Sequence, residues 1–421
     1  MTRTPPEADV VIVGAGAAGL ATAIFTKERN PLARVLLLDG ARHPGAKILV
    51  SGGSRCNVTN TVVTEADFNG GRPGIIRSVL RALPVEATVA FFRRIGVPLH
   101  EEPGGKLFPD FERSRDVLDA LLRETARVGA ELRAGHRVID VTRDGDLFRV
   151  VTSQGEIVTR AVVLATGGLS LPKTGSDGWG YGIAQRFGHT IVPTTPALVP
   201  LVLDEAPGRA VHQALSGVAQ PVRLDVRVDG AIATRIAGSL LWTHFGVSGP
   251  AVLDASRHWL RARLEGRTVE VTASLCPAET FESIERAFVS LARARPRLTL
   301  QTAVAERVPA SVASAVLRAI DLGAGETLAG LTRDRRRALL HALLTWPLPI
   351  RDSRGYNYAE VTAGGVALPE IHAASMASRV CPGLYLVGEI LDVDGRIGGF
   401  NFQWAWSSAR AAGAALAQRK G

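Results

Sequence analysis

The sequence predicts an α/β protein built around a parallel β-sheet. A continuous apolar run, Val10–Val13, leads into the pattern G-x-G-x-x-G at 14–19, and small helix-forming residues follow. Two further apolar runs, at 35–38 and 161–164, have the same character. Strands buried on both faces of a parallel sheet form unbroken apolar runs, whereas half-exposed strands alternate. With 421 residues, the chain can hold more than one domain.

Three glycines, Gly14, Gly16 and Gly19, lie at the predicted turn between the first strand and its helix. Gly14 allows a tight turn, Gly16 lets backbone N–H groups approach a phosphate, and Gly19 lets the helix pack closely. The next strand ends at Asp39, about 20 residues beyond Gly19, where a carboxylate can accept hydrogen bonds from a ribose. The pattern predicts a dinucleotide site. An ordinary strand-to-helix turn is the alternative, and it leaves the acidic strand end unexplained.

The chain is basic. It has 49 lysine and arginine residues against 40 aspartate and glutamate residues, a formal net charge of +9. This balance makes a polyanionic partner such as RNA a candidate. An arginine-rich composition without such a partner is the alternative, since the basic residues are scattered and form no dense block.

The cysteines and the chain start indicate a cellular compartment. Cys56, Cys276 and Cys381 are widely spaced and form no C-x-x-C pair, so neither a disulfide framework nor a metal site is expected. The short polar start does not resemble a signal peptide, and no apolar run approaches the roughly 18 residues of a membrane span. We therefore expect a soluble protein in the reducing cytoplasm.

Two polar, glycine-rich segments are candidate cofactor loops. Residues 45–60 hold Lys47 and Arg55 among small residues, which suits a loop around a phosphate-bearing cofactor, with a plain surface loop as the alternative. The apolar run at 161–164 ends in A-T-G-G, and the polar segment 169–178 follows. This second segment can cover the cofactor or face the substrate.

The region between these segments is predicted to combine helices with a β-meander. Apolar residues at three- and four-residue spacing predict helices over Val85–Ile95 and Arg115–Val128. Alternating runs predict a meander that covers one face of the sheet, with strands at 137–141, 147–151 and 157–160.

An inserted substrate-recognition domain is predicted from about residue 190 to residue 347. Its predicted strands are 199–203, 222–228 and 269–273, and its predicted helices are 278–294, 304–322 and 333–344. His244 lies in an apolar run among small and hydroxylated residues. A lone histidine of this kind is more often structural than catalytic.

The C-terminal region again carries cofactor-like features. Glu389 follows a short strand, and a glycine-rich turn leads into an alanine-rich helix at 402–416. A carboxylate there can hold the hydroxyls of a ribityl chain, and a glycine-led helix start can stabilise negative charge on a reduced isoalloxazine ring. Together with A-T-G-G, these segments favour FAD as the dinucleotide.

Five motifs resemble the YhiN/BaiN flavoprotein family, whose members are often labelled NAD(P)/FAD-dependent or aminoacetone oxidase-like oxidoreductases. They are A-K-I-L-V-S-G-G-S-R-C-N-V-T-N (46–60), A-T-G-G-L-S-L-P-K-T-G-S (165–176), T-H-F-G-V-S-G-P-A-V-L (243–253), A-E-V-T-A-G-G-V (359–366) and G-E-I-L-D-V-D-G-R-I-G-G-F-N-F-Q-W-A-W-S-S (388–408). The resemblance covers nearly the whole chain. It implies a glutathione-reductase-like FAD-binding Rossmann domain with an inserted β-barrel-like plus helical region. Ser54 and Leu171 depart from the family pattern and affect only the rim of the site.

The domain limits that follow are 1–190 and 349–421 for the two FAD-binding segments, 191–275 for the β insertion and 276–348 for the helical insertion. The resemblance and the residue patterns together assign the cofactor to Gly14, Gly16, Ala17, Ala18, Gly19, Asp39, Gly40, Lys47, Ser51, Gly52, Gly53, Arg55, Cys56, Asn57, Val138, Ala165, Thr166, Gly167, Gly388, Glu389, Asp394, Gly398, Gly399, Phe400 and Asn401.

The resemblance implies reduction of a carbon–carbon double bond, with NAD(P)H as a transient donor because no second dinucleotide motif is visible. A uridine of large-subunit ribosomal RNA is the favoured substrate, and the product is dihydrouridine. Cys56, His244 and Lys173 are the candidate proton donors, although Cys56 can equally be a buried packing thiol. The alternatives are a small-molecule oxidase or enoyl-type reductase and a non-catalytic RNA-binding module.

Overall fold

A computed structural model describes residues 7–204 and 211–419. The chain divides into two compact units, Met1–Thr194 with Glu360–Gly421 and Thr195–Ala359. We call them the first and second units. The finer division of the insertion into a β part and a helical part stays a prediction.

The strands are numbered in chain order. They are β1 (Ala8–Val13), β2 (Val35–Asp39), β3 (Thr59–Asn60), β4 (Phe68–Gly70), β5 (Leu99–Glu102), β6 (Lys106–Pro109), β7 (Glu131–Ala134), β8 (Val138–Asp144), β9 (Leu147–Thr152), β10 (Gly155–Leu164), β11 (Ile191–Ala197), β12 (Leu201–Leu203), β13 (Ala219–Val228), β14 (Ala231–Thr243), β15 (Gly246–Ser248), β16 (Val269–Ser274), β17 (Trp346–Leu348), β18 (Ile350–Ser353), β19 (Val361–Val366), β20 (Ile371–His372), β21 (Ala377–Ser378), β22 (Leu384–Leu386) and β23 (Val393–Gly395).

The α-helices follow the same numbering. They are α1 (Ala17–Arg29), α2 (Ala46–Ser54), α3 (Pro73–Leu80), α4 (Val85–Arg94), α5 (Ser114–Arg127), α6 (Trp179–Arg186), α7 (Val211–Ala214), α8 (Pro250–Leu264), α9 (Phe281–Ala294), α10 (Leu300–Ala305), α11 (Ala310–Ala319), α12 (Arg333–Leu344) and α13 (Phe400–Leu416). Over 7–204 and 211–419, no helix combines the length and the hydropathy needed to cross a bilayer.

A parallel ladder forms the centre of the first unit. Strand β1 lies between β2 and β10, and β22 and β7 extend the ladder on either side, all in parallel pairs. Because parallel strands end at the same edge, the residues after β1, β2, β10 and β22 are brought together. The predicted α/β fold with its Rossmann-type domain is confirmed.

Strand β10 differs from its prediction. The sequence suggested two strands, 157–160 in the meander and 161–164 in the sheet, but the structure has one continuous strand. Its first half pairs antiparallel with β9, and its second half pairs parallel with β1. The meander is therefore hydrogen-bonded to the sheet through this shared strand, and its position over one face of the sheet stays a prediction.

The second unit contains an antiparallel sheet in the order β17-β16-β13-β14-β15-β12-β18. Its two edge strands are consecutive in the sequence and are separated by Pro349 alone. The sheet therefore has to curl until its edges approach, which accounts for the predicted barrel-like character. A separate hydrophobic core joins this sheet to the helices of the second unit.

One prediction for the insertion needs correction, and two of its elements were not predicted. The helix expected over 304–322 is divided into α10 and α11, and Pro309 is the N-cap of α11. Proline lacks an N–H donor and starts a helix more readily than it continues one. Strand β14 and helix α8 were not predicted. The side chains of β14 are mostly small or polar, so its alternation gives a weak signal.

Helix α13 crosses α1 closely at a glycine. A Cβ on Gly413 would lie 2.8 Å from Phe25 Cβ and 3.0 Å from Thr26 N. We expect Gly413→Val to destabilise the first unit by about 2 kcal/mol, because overpacking a tight contact forces the backbone to shift. Thermal unfolding should show a clear decrease in Tm.

Gly182 of α6 provides the matched control. It is helical and exposed, and a Cβ there would meet no described atom within 4 Å. Gly182→Ala should therefore raise stability by roughly 0.5 kcal/mol through helix propensity. A Gly413→Val protein that unfolds at the wild-type temperature would contradict the packing argument.

Candidate functional site

The glycine turn after β1 has the geometry that its sequence predicts. Gly14 N donates to Leu38 O over 2.8 Å, which joins the turn to β2. A Cβ on Gly14 would lie 2.5 Å from Ala165 O, and one on Gly19 would lie 1.9 Å from Gly14 O. Gly16 has no described neighbour within 4 Å of its Cβ position. Two glycines are thus needed for packing, and the third leaves an open approach to the backbone.

The start of α1 offers donors for an anion. Gly16 is its N-cap, no side chain caps it, and its first turn holds no acidic residue. The first N–H groups of an uncapped helix carry partial positive charge. The N–H groups of Ala17 and Ala18, with the open position at Gly16, therefore fit a diphosphate group.

Asp39 is held by backbone groups at the end of β2. Its Oδ2 accepts from Ala15 N and its Oδ1 accepts from Ala41 N, each over 2.8 Å. The carboxylate therefore fixes the glycine turn as well as its own loop. Each oxygen has a second lone pair, so the predicted contact with a ribose remains compatible with these bonds.

Helix α2 contains a sharp kink. The sequence suggested a loop over this region, but the structure is helical at its start and becomes non-helical at Ser51, Gly52 and Gly53. Gly52 and Gly53 have φ of 54° and 66°, and Ser54 and Cys56 also have positive φ. A Cβ on Gly52 would lie 2.9 Å from Asn57 N. The tight reversal therefore depends on glycine.

An ion pair links residues that are far apart in the sequence. Lys47 Nζ donates to Glu389 Oε2 and to Ser170 Oγ, each over 2.7 Å. Ser170 Oγ and Thr362 N donate to Glu389 Oε1 over 2.7 Å and 3.0 Å. The Lys47 and Glu389 side chains are only 25% and 18% exposed. The network thus joins α2, the loop after β10, β19 and the segment after β22.

Ser170 and Thr362 were not predicted as site residues. Thr362 Oγ1 accepts from Leu169 N and Ser170 N over 2.8 Å and 3.0 Å, so it orders the loop that carries Ser170. Both hydroxyls lie in motifs singled out in the sequence, A-T-G-G-L-S and E-V-T-A-G-G. A hydroxyl residue beside a glycine-rich motif is the sequence signal that could have identified Ser170 and Thr362 as site residues.

Two other predicted cofactor residues, Arg55 and Asn57, form hydrogen bonds to other residues of the protein. Arg55 forms two hydrogen bonds with Glu102, of 2.5 Å and 3.3 Å, and lies 4.2 Å from the centre of the Phe108 ring. The bond to Glu102 raises the pKa of Arg55. The Asn57 amide, oriented to satisfy its neighbours, accepts from Gly399 N over 3.1 Å. Arg55 thus has a resident counter-ion, and Asn57 fixes the turn before α13.

The start of α13 forms a second potential anion site. Gly398 and Gly399 have φ of 130° and 92°, and a Cβ on Gly399 would lie 2.4 Å from Thr59 O. Asn401 closes the turn by bonding to both Gly395 N and Gly395 O, over 2.8 Å and 2.9 Å. The helix has no side-chain cap and no acidic residue in its first turn. Its partial positive charge can therefore stabilise negative charge on a neighbouring group.

The remaining predicted cofactor residues occupy packing positions or lie close to this edge. A Cβ added to Gly388 would lie 2.8 Å from Ala18 Cβ. The Gly388 carbonyl accepts a hydrogen bond from Trp404 Nε1 over 3.1 Å. Thr166 Oγ1 is buried and has no hydrogen-bond partner among the described residues. The members of this group that are themselves buried are Gly388, Val138, Ala165, Asp394 and Phe400. Gly40 packs against the Arg137 side chain, and Gly167 packs against Ser176.

The three candidate proton donors differ in exposure. Cys56 is fully buried, and burial raises the pKa of its thiol to about 12. Lys173 is exposed in the short 3-10 helix Pro172–Thr174. His244 is exposed in the second unit, in the turn from β14 to β15, and contacts Phe245 edge to face with ring centres 5.1 Å apart. The burial of Cys56 favours its alternative role as a packing thiol.

The chain matches known proteins over almost all its length. Residues 8–415 match the model of the HI0933-like protein Rossmann domain. A ribosomal RNA dihydrouridine synthase of Escherichia coli K12 is 35% identical over 95% of this chain and 96% of its own. A 3-dehydro-bile acid delta(4,6)-reductase of Clostridium scindens is 31% identical over 97% of this chain and 98% of its own.

Solved structures agree on the fold. A 3-ketosteroid-delta4-(5alpha)-dehydrogenase from Rhodococcus jostii RHA1 aligns with a TM-score of 0.50 and 16% identity, and the alignment covers 99% of each chain. At this identity the likeness describes architecture alone. The family assignment rests on the two full-length relatives and on the matching family model. The chain belongs to the HI0933-like family, which includes the YhiN and BaiN proteins, and it is an FAD-dependent oxidoreductase.

Proposed function

We propose that this protein reduces the carbon–carbon double bond of a uridine in large-subunit ribosomal RNA and so forms dihydrouridine. The observation that carries the proposal is the 35% identity, over almost the full length of both chains, to a protein named for that reaction. A second relative with the same name, from Haemophilus influenzae, is 31% identical over 97% of this chain. The net charge of +9 suits a polyanionic substrate.

The cofactor position in this proposal follows from the edge where the parallel strands end. The N–H groups at the start of α1 would bind the diphosphate of FAD, and Asp39 would bind the adenosine ribose. Glu389, oriented by Lys47 and Ser170, would hold the ribityl hydroxyls. The partial positive charge at the start of α13 would favour negative charge on the isoalloxazine ring. Bound FAD supplies a hydride carrier between an electron donor and the double bond.

The proposed donor is NAD(P)H, which loses a hydride and leaves as NAD(P)⁺. The double bond gains that hydride on one carbon and a proton on the other, so the reaction needs a proton donor. We propose Lys173 or His244 for this step, because both are exposed. A buried thiol with a pKa of about 12 would have to reach the substrate from within the core.

A small-molecule enoyl-type reductase is the second candidate. The relative from Clostridium scindens, named as a reductase of a bile acid, favours it. The cofactor arrangement would be the same under both candidates, and only the substrate differs. Measuring dihydrouridine in ribosomal RNA distinguishes the two candidates.

We predict that Asp39→Ala weakens FAD binding by about 10- to 100-fold, because it removes hydrogen bonds to a charged group that fixes the glycine turn and reaches the ribose. Titration of flavin-free protein, followed by flavin fluorescence, measures the change. Asp9 provides the control, since it accepts from Arg34 N over 2.8 Å at the opposite end of β1. Asp9→Ala should bind FAD within about twofold of the wild type. Equal losses in both variants would count against the assigned position.

We also predict that deleting the gene removes a dihydrouridine from large-subunit ribosomal RNA. Mass spectrometry of nuclease fragments from the parent and deletion strains measures it. A gene encoding Asp9→Ala should restore the modification, whereas one encoding Asp39→Ala should restore little of it. Identical fragments from the parent and deletion strains would exclude ribosomal RNA and leave the small-molecule reductase.

A further inference from the structure

The second unit has an arginine stacked between two aromatic rings, one of which is exposed. The Arg354 guanidinium lies 3.5 Å from the centre of the Tyr358 ring and 4.6 Å from the centre of the Phe245 ring. The rings of Phe245 and His244 in turn pack edge to face. We call Tyr358, Arg354 and Phe245 the aromatic-arginine stack. It joins a loop after β18 to the turn between β14 and β15.

Backbone hydrogen bonds hold the stack in place. Arg354 N donates to Pro200 O over 3.0 Å, and Leu203 N donates to Phe245 O over 3.2 Å. Strand β12, which contains Leu203, pairs with both β15 and β18. The stack is therefore mounted on the edge of the barrel-like sheet. A preformed surface of this kind loses little conformational entropy when it binds a ligand.

Among the described residues, Arg354 has no carboxylate partner. Across 7–204 and 211–419, no aspartate or glutamate oxygen lies within 4 Å of the Arg354 guanidinium, whereas Arg335 and Arg55 both have such partners. Tyr358 is 50% exposed although Arg354 covers one side of its ring. The exposed Tyr358 ring thus lies next to a planar cation that has no carboxylate partner among the described residues.

This combination matches the chemistry of an unpaired nucleotide. Bases stack on aromatic rings and on guanidinium planes, and arginine N–H groups bind phosphate oxygens. We propose that the aromatic-arginine stack binds single-stranded RNA, with a base on Tyr358 and the adjacent phosphate on Arg354. The inference rests on the proposed RNA substrate and adds the position of an RNA contact. It concerns binding and assigns no catalytic step to the stack.

Binding of a fluorescein-labelled oligouridylate to the FAD-loaded protein, measured by fluorescence anisotropy, tests the proposal. Tyr358→Ala should weaken binding roughly tenfold, the order expected for loss of one stacked base. Tyr358→Trp should keep the affinity within about twofold, because the ring remains. Arg354→Ala should weaken binding and also lower its salt dependence, because one phosphate contact is lost. Double-stranded RNA should compete poorly, since its bases are not available for stacking.

Arg337→Ala controls for the loss of one positive charge. Arg337 is exposed and, among the described residues, has no carboxylate partner within 4 Å. Its removal should reduce the affinity less than removal of Arg354. Flavin content and thermal unfolding verify that each variant is folded.

Two results would overturn the inference. One is a wild-type protein that does not bind the oligouridylate, and the other is a folded Tyr358→Ala variant that binds within about twofold of the wild type. The result of the dihydrouridine assay on ribosomal RNA is independent of the result of this binding assay. Loss of binding in Tyr358→Ala without any dihydrouridine in the RNA would support the stack and contradict the proposed reaction. Dihydrouridine formation with normal binding by Tyr358→Ala would do the opposite.

Discussion

The parallel ladder of the first unit is the constraint on which the candidate site depends. Strands β2, β1, β10 and β22 run in one direction, so the segments that follow them meet at one edge. Hydrogen bonds continue the ladder past the strand ends, from Gly14 N to Leu38 O, from Ala165 N to Val13 O and from Val387 N to Leu164 O. Segments that are hundreds of residues apart in the sequence thus share one fixed frame.

Polar contacts then connect these segments to one another. Asp39 fixes the glycine turn through Ala15 N, and Lys47 pairs with Glu389 across the same edge. Asn57 positions Gly399 at the start of α13. Two helix starts without acidic residues are therefore held at defined places, one suited to a diphosphate and the other to a ring that becomes negative on reduction.

Local signals made the nucleotide-binding part of the fold predictable. The glycines of the first turn, Asp39 and the uninterrupted apolar runs can each be recognised from the residues next to them in the sequence. The pairing of Lys47 with Glu389 could not be predicted, because it depends on how two distant segments fold together. Burial of Cys56 also follows from tertiary packing. Strand β14 was missed because its exposed side chains give little periodic signal, and the break at Pro309 was missed although the proline was visible.

A crystal structure of the FAD-bound protein tests the central claim most directly. We expect the diphosphate at the N–H groups that begin α1, the ribose at Asp39, the ribityl chain beside Glu389 and the ring at the start of α13. A flavin bound with its diphosphate away from Gly14–Gly19, or with its ring remote from α13, would contradict the account.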